Sequence, residues 1–174
     1  MQQTVTPVST KAIIISLLLI LLALANYFLK IDPSSPVQYL SYVILIGGII
    51  WSVMSYGKQI NYHGTFGNYF AHGFKVAALI TAIMVIFIIV FIYLFPDMKE
   101  MAIDAARKNM AGKNMTEEQI TQGVEMTRKY FGVFAVGGTL LMYLIVGCLI
   151  SLIGAAITKK DPHNPAHDIN QTGQ

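Results

Sequence analysis

Charge is the scarcest commodity in this 174-residue chain, with Asp, Glu, Lys and Arg making up only 12% of it. A soluble domain carries about 25%. Apolar residues reach 55%, more than a water-soluble globule of this length can hide. Intrinsic disorder is excluded by the same figures, since disordered chains are polar and charge-rich. The net charge of +3 is spread thinly, and no basic run forms a nucleic-acid-binding patch. A single cysteine, Cys148, rules out an internal disulfide. It lies in an apolar run, the setting of an inert core thiol rather than a reactive one.

What is present is long apolar sequence. A helix needs about 20 mostly apolar residues to cross a bilayer. Four runs qualify, at about 12–29, 37–56, 76–95 and 131–158, and none contains Asp, Glu, Lys or Arg. Pro33, Pro36, Pro96, Pro162 and Pro165 all fall outside them, where proline does least harm to a helix. Strict alternation of the membrane β-strand kind is missing. The expected fold is therefore all-α, one integral membrane bundle of four transmembrane helices. The first run has a rival reading as a signal peptide, from Lys11 and the small residues Ala23-Leu24-Ala25. Its continuation through Tyr27 and Phe28 favours an uncleaved span.

Four spans place both termini on one side. That side holds Lys11, Lys58, Lys75, Lys159 and Lys160, and the other holds Lys30, Lys99, Arg107, Lys108, Lys113, Arg128 and Lys129. The raw count opposes cytoplasmic termini. Lys99 to Lys113, however, sit in a segment with its own secondary structure, and Lys159-Lys160 directly follow the last span. Cytoplasmic termini are expected on those grounds.

The stretch 97–130 is too long for a bare loop and is expected to be an extramembrane amphipathic helical hairpin broken at Gly112. Its first helix places Met98, Met101, Ala102 and Ala105 on one face. Its second opens with a capping box, Thr116-Glu117-Glu118-Gln119, and lines up Ile120, Val124, Thr127 and Phe131. Asp104 with Lys108, and Glu125 with Lys129, have the favourable i,i+4 order. The second helix is expected to run into the fourth span, with Arg128, Lys129 and Tyr130 at headgroup level. The hairpin reads as a structural element, or alternatively as a platform for a partner or ligand. The tail 161–174 reads as flexible.

Chemistry-bearing constellations are few. Met98, Met101, Met110, Met115 and Met126 cluster in the hairpin. Thioethers bind Cu(I), but methionine is also a common apolar filler. His63 and His72 lie in the link after the second run, where hydrogen bonding is the plain reading. His163 and His167 fall in the tail, separated by Pro165. Asn114 and Asn170 fit the glycosylation pattern without bearing on activity. No zinc motif, phosphate loop or nucleophile elbow is present.

The polar residues within the runs are mild, among them Ser16, Asn26, Ser52, Thr81 and Ser151. Proton relays and ion-coupled transporters use ionisable groups inside the bilayer, and intramembrane hydrolases need an acid, base or paired nucleophile. No catalytic, cofactor or metal residue is therefore assigned. Gly47-Gly48 and Gly137-Gly138 weakly echo the broken helices of transporters. Helix packing is the simpler explanation. Gly48 and Ser52, and Gly147, Ser151 and Ala155, fall at i+4 spacing and are assigned to close helix contact, within the bundle or between copies.

The run Tyr69-Phe70-Ala71-His72-Gly73-Phe74-Lys75, then Phe95-Pro96-Asp97, Met115-Thr116-Glu117-Glu118-Gln119-Ile120, and a last span with Gly147, Ser151 and Ala155 closing on Lys159-Lys160, resembles a bacterial family of small four-helix membrane proteins, the domain of unknown function numbered 4199. The likeness covers about 13–160. It implies a multi-pass protein of the bacterial inner membrane, and since the family has no established activity it carries no functional residue across. The expected role is non-enzymatic, structural or accessory. The lipid bilayer and a membrane-protein partner or second copy are its expected contacts, and nucleic acid is not. A small oligomeric transporter or channel subunit is the alternative.

Overall fold

A computed structural model describes residues 5–31, 35–113 and 115–158. The described residues form helices and turns, with no strand among them. Five α-helices follow in order: α1 (Val8–Phe28), α2 (Tyr39–Gln59), α3 (Phe66–Leu94), α4 (Asp97–Ala111) and α5 (Glu117–Ile157). A single 3-10 turn, Pro36–Gln38, leads into α2. Lys159-Lys160, the tail histidines, Asn114, Asn170, Pro33, Pro162 and Pro165 lie outside the described residues.

Four helical stretches are long and apolar enough to cross a membrane: α1, the 3-10 turn with α2, α3, and α5. Around an apolar interior that includes Ile15, Ile49 and Ile80, their outer faces are apolar as well. Leu17, Leu21, Val43, Trp51, Leu149 and Ile153 are exposed, whereas Ser16, Ser52, Thr81 and Ser151 are buried. Helices apolar all round belong in lipid, where small polar residues turn toward neighbouring helices.

Like α5, helices α1 and α3 begin earlier than their apolar runs. α1 starts at Val8, after Pro7, a residue that suits the helix entry but not its interior. It therefore includes Lys11. α3 starts ten residues before the apolar run because Thr65 caps it: the Thr65 hydroxyl accepts from the Asn68 amide at 3.3 Å. The link histidine His72, with Lys75, thus belongs to a helix. The helix-to-helix turn before it holds Asn61 and Tyr62 at positive φ (51° and 62°). It closes with Tyr62 N donating to Gly57 O at 2.8 Å and Asn61 N to Lys58 O at 3.1 Å, which covers carbonyls at the end of α2.

The chain divides into two compact units, Met1–Ile83 with Tyr143–Gln174, and Met84–Met142. In the first, α1 and α2 pack where Gly48 admits Ile15; a Cβ at residue 48 would lie 2.8 Å from Ile15 Cγ1. Val53, Tyr69 and Ala155 form a fully buried cluster, with Tyr56, Ile60 and Phe70 against it. Gly73 is a tight junction of α3 with both α2 and α5. A Cβ there would lie 2.8 Å from Val53 Cγ2 and 3.0 Å from Ser151 Cβ.

In the second unit, Phe87, Phe91 and Phe95 stack along α3 at centroid distances of 5.2 and 4.8 Å, and Pro96 ends the helix. α4 turns Ile103 inward, while Met101 stays exposed. Met98, Ala102 and Ala105 of the expected face are half-buried, and Ile103 beside them is the buried residue of α4. Met110 rests against α5 at Gly123, where a Cβ would meet its sulfur at 2.6 Å. The expected capping box forms in full: Gln119 N donates to Thr116 Oγ1 at 3.3 Å and Thr116 N to Gln119 Oε1 at 3.0 Å. Ile120 is buried, and Val124, Thr127 and Phe131 are half-buried. The helix is continuous from Glu117 to Ile157 except at Tyr130, whose φ of −109° and ψ of 17° kink it. Among the described residues an ion pair joins two helices, Arg128 Nη2 to Glu100 Oε2 at 3.1 Å, rather than linking Asp104 with Lys108 or Glu125 with Lys129. Exposed i,i+4 pairs gain too little to hold two long side chains in one geometry.

Candidate functional site

Several polar groups of the first unit converge at one end of α1, α2 and α3. Lys11, one turn into α1, is 1% exposed and donates from Nζ to the backbone carbonyl of Ser52 at 3.1 Å. The Ser52 hydroxyl in turn lies 3.2 Å from His72 Nε2. His72 is 6% exposed. Its ring lies flat on Tyr56, with centroids 4.2 Å apart and planes 4° from parallel, and Tyr56 meets Tyr69 edge-on at 6.1 Å. Three helices thus contribute to one polar line, Lys11–Ser52–His72, braced by two tyrosines.

The line backs onto a half-open cavity of about 320 Å³. Val5 to Val8 form one wall, Tyr56 another, and Asn68, Ala71, His72 and Lys75 the third. Asn68, His72 and Lys75 follow i, i+4, i+7 spacing, which puts them on one face of α3. The Val5–Val8 wall is tied down by Gln59, whose amide donates to Thr6 Oγ1 at 2.8 Å and accepts from Thr6 N at 3.1 Å. A second cavity, of about 400 Å³, opens between α1 and α2 beside Gly47 and Trp51 and has only apolar side chains around it.

Electrostatically the polar cavity is one-sided. The ammonium groups of Lys11 and Lys75 both act on the His72 ring. The described residues of the first unit contain Lys11, Lys30, Lys58 and Lys75 and no Asp or Glu at all. Ser52 and His72 are a nucleophile-and-base pair by residue type, but a hydrolytic triad also needs a group that orients the imidazole. Among the described residues of this unit no carboxylate exists for that task. Among all the described residues, no group of three or more His, Cys, Asp or Glu could hold a metal ion.

Of the five residues assigned to helix packing, Ser52 is the one in this line. Gly48 faces Ile15. Gly147 faces Ala77, where a Cβ would approach to 2.6 Å. Ser151 is buried, and its hydroxyl donates to the Gly147 carbonyl of its own helix at 2.6 Å. Ala155 joins the Val53–Tyr69 cluster. The sequence reading missed Lys11, Asn68, His72 and Lys75 as a group because it drew the spans by the absence of charge. The i, i+4, i+7 spacing on α3, with Thr65 as its cap, was the available signal. His63 stays in the turn before α3 and does not line the cavity.

These features define a class: an all-α protein with four helices long and apolar enough to cross a membrane and, at one end of its first unit, a pocket lined by His72 and Lys75 and by no carboxylate among the described residues. A family model described as protein of unknown function (DUF4199) matches residues 10–160, and the chain belongs to that family. No curated protein and no solved structure matches the chain.

Proposed function

We propose that this is a non-enzymatic, multi-pass component of the bacterial inner membrane, structural or accessory to a membrane-protein partner. Its termini face the cytoplasm, and α4 with the start of α5 forms a helical hairpin outside the bilayer. The observation that carries this reading is the length and charge of α5. Its 41 residues span roughly 60 Å, about twice the hydrocarbon thickness. Its kink at Tyr130 divides a charged part from an apolar part. Six of the nine acidic residues, Asp97, Glu100, Asp104, Glu117, Glu118 and Glu125, lie in this hairpin. Glu100 and Arg128 tie its two arms together.

Cross-linking tests the accessory role. A photo-reactive residue at Met101 or Met126, both exposed, should trap a discrete partner in cells, and a chain that stays monomeric and unlinked at both positions contradicts it. Topology has a separate test. In a Cys148→Ser background, Thr121→Cys should react with a membrane-impermeant maleimide in cells with a permeabilised outer membrane, and a reporter fused after Gln174 should be active only in the cytoplasm.

The Lys11–Ser52–His72 line favours a second reading, a small oligomeric transporter or channel subunit, since ionisable groups between membrane helices often mark a pathway. Flux in liposomes that falls with Ser52→Leu or Ser151→Leu supports it. Flux unchanged by both removes that route.

A further inference from the structure

We propose that the cavity walled by Thr6, Tyr56, Asn68, His72 and Lys75 is a binding site for a phosphate-bearing anion. Lys11 is buried in a unit whose described residues offer no carboxylate, and a buried cation is costly without a counter-charge. Lys11 and Lys75 both act on His72, and His72 and Lys75 face the same open cavity. The backbone adds to this field. Pro7 and Val8, at the N-terminus of α1, line the cavity, and Asn68 lies in the first turn of α3. Two positive helix-dipole ends therefore meet there. The opposing negative end of α2 is capped by the amides of Ile60, Asn61 and Tyr62.

The donors available are an ammonium, a side-chain amide and an imidazole, arriving on one face of α3. They suit an anion with several acceptor oxygens, and lysine is a recurrent point-charge partner of phosphate. The volume of about 320 Å³ admits a phosphate group with part of its substituent. The place also fits. The cavity sits at the ends of three candidate spans, the level at which lipid headgroups lie and basic pockets between helices take them up. The shared chemistry is the phosphate, whether from an anionic phospholipid or from free phosphate.

The test uses the full chain in nanodiscs of phosphatidylcholine, with phosphatidylglycerol or inorganic phosphate added, read by thermal midpoint and by native mass spectrometry. Wild type should gain stability from at least one probe, and Lys75→Gln should weaken that response roughly three- to tenfold. Lys75→Arg should retain it. Lys58→Gln, exposed near the same end but not lining the cavity, should behave as wild type. Retained phosphatidylglycerol identifies the lipid as the source, and a response to inorganic phosphate alone identifies the free anion. No response to either probe overturns the proposal, as does an equal loss in Lys58→Gln. A Lys75-dependent loss of stability in Asp161→Asn/Asp168→Asn, without response to either probe, also overturns it, because the chain's own tail would then supply the counter-charge.

Discussion

Lys11 Nζ donates to the backbone carbonyl of Ser52 at 3.1 Å, 41 positions away in sequence, from a side chain that is 1% exposed. The aliphatic stem of a lysine packs like an apolar side chain, while its ammonium is costly to bury. Lys11→Met keeps the stem volume and removes the charge, so its thermal midpoint in detergent should equal or exceed that of wild type. Lys11→Ala also opens a cavity and should cost about 2 kcal/mol or more. A midpoint for Lys11→Met well below that of wild type would show that the charge itself stabilises the fold.

Ser52 and Ser151 are alike by spacing but not by partner. The Ser52 hydroxyl meets His72 on another helix, whereas Ser151 bonds to its own helix. Ser52→Ala strands a buried imidazole nitrogen and should lower stability by about 1–2 kcal/mol. Ser151→Ala should cost less than about 0.5 kcal/mol, because the Gly147 carbonyl keeps its helical partner. Unfolding in a detergent titration compares the two, and equal losses would contradict the assignment.

Gly73 and Gly137 make a second contrasting pair. An alanine at residue 73 puts its Cβ 2.8 Å from Val53 and 3.0 Å from Ser151, while around residue 137 nothing lies within 4 Å. Gly73→Ala should destabilise by about 1–3 kcal/mol. Gly137→Ala should be neutral or stabilising by up to about 1 kcal/mol, through helix propensity alone. Thermal midpoints of the two variants check this directly.

Helix α4 and the start of α5 offer two local tests. Thr116→Ala removes one half of the capping box and should cost about 1 kcal/mol, seen as faster amide hydrogen exchange confined to the first turn of α5. A double-mutant cycle with Glu100→Gln and Arg128→Gln should give a coupling below about 1 kcal/mol that shrinks as salt rises, since both side chains are more than half exposed. Coupling that ignores salt would show that the pair is shielded from solvent.

The parts of this protein legible in the sequence are those with local physical causes. Thr116 and Gln119 announce a capping box because both of its hydrogen bonds close within one turn. Pro96 follows the end of α3 as its place in the sequence implies, and the helix begun at Glu117 does run on into the last apolar run, although nothing in the sequence announced its kink at Tyr130. Ile120, Val124, Thr127 and Phe131 show their shared face by spacing alone. The turned face of α4 was less legible, because the interhelical contact at Met110 and Gly123 helps set its rotation.

Scarcity of charge, in runs of about 20 residues without β-strand alternation, decided the four long apolar helices, because such a run satisfies its own backbone in lipid as a helix. It also hid the site. Lys11, His72 and Lys75 lie just outside the uncharged runs, so drawing spans by absence of charge set them among the links. Bringing Lys11, Ser52 and His72 into one line requires α1, α2 and α3 to meet at a common end, across 41 and 20 positions of sequence. Separations of that size leave no periodicity in a sequence. Only helix packing, tightened at Gly48 and Gly73, decides which few polar groups share the cavity.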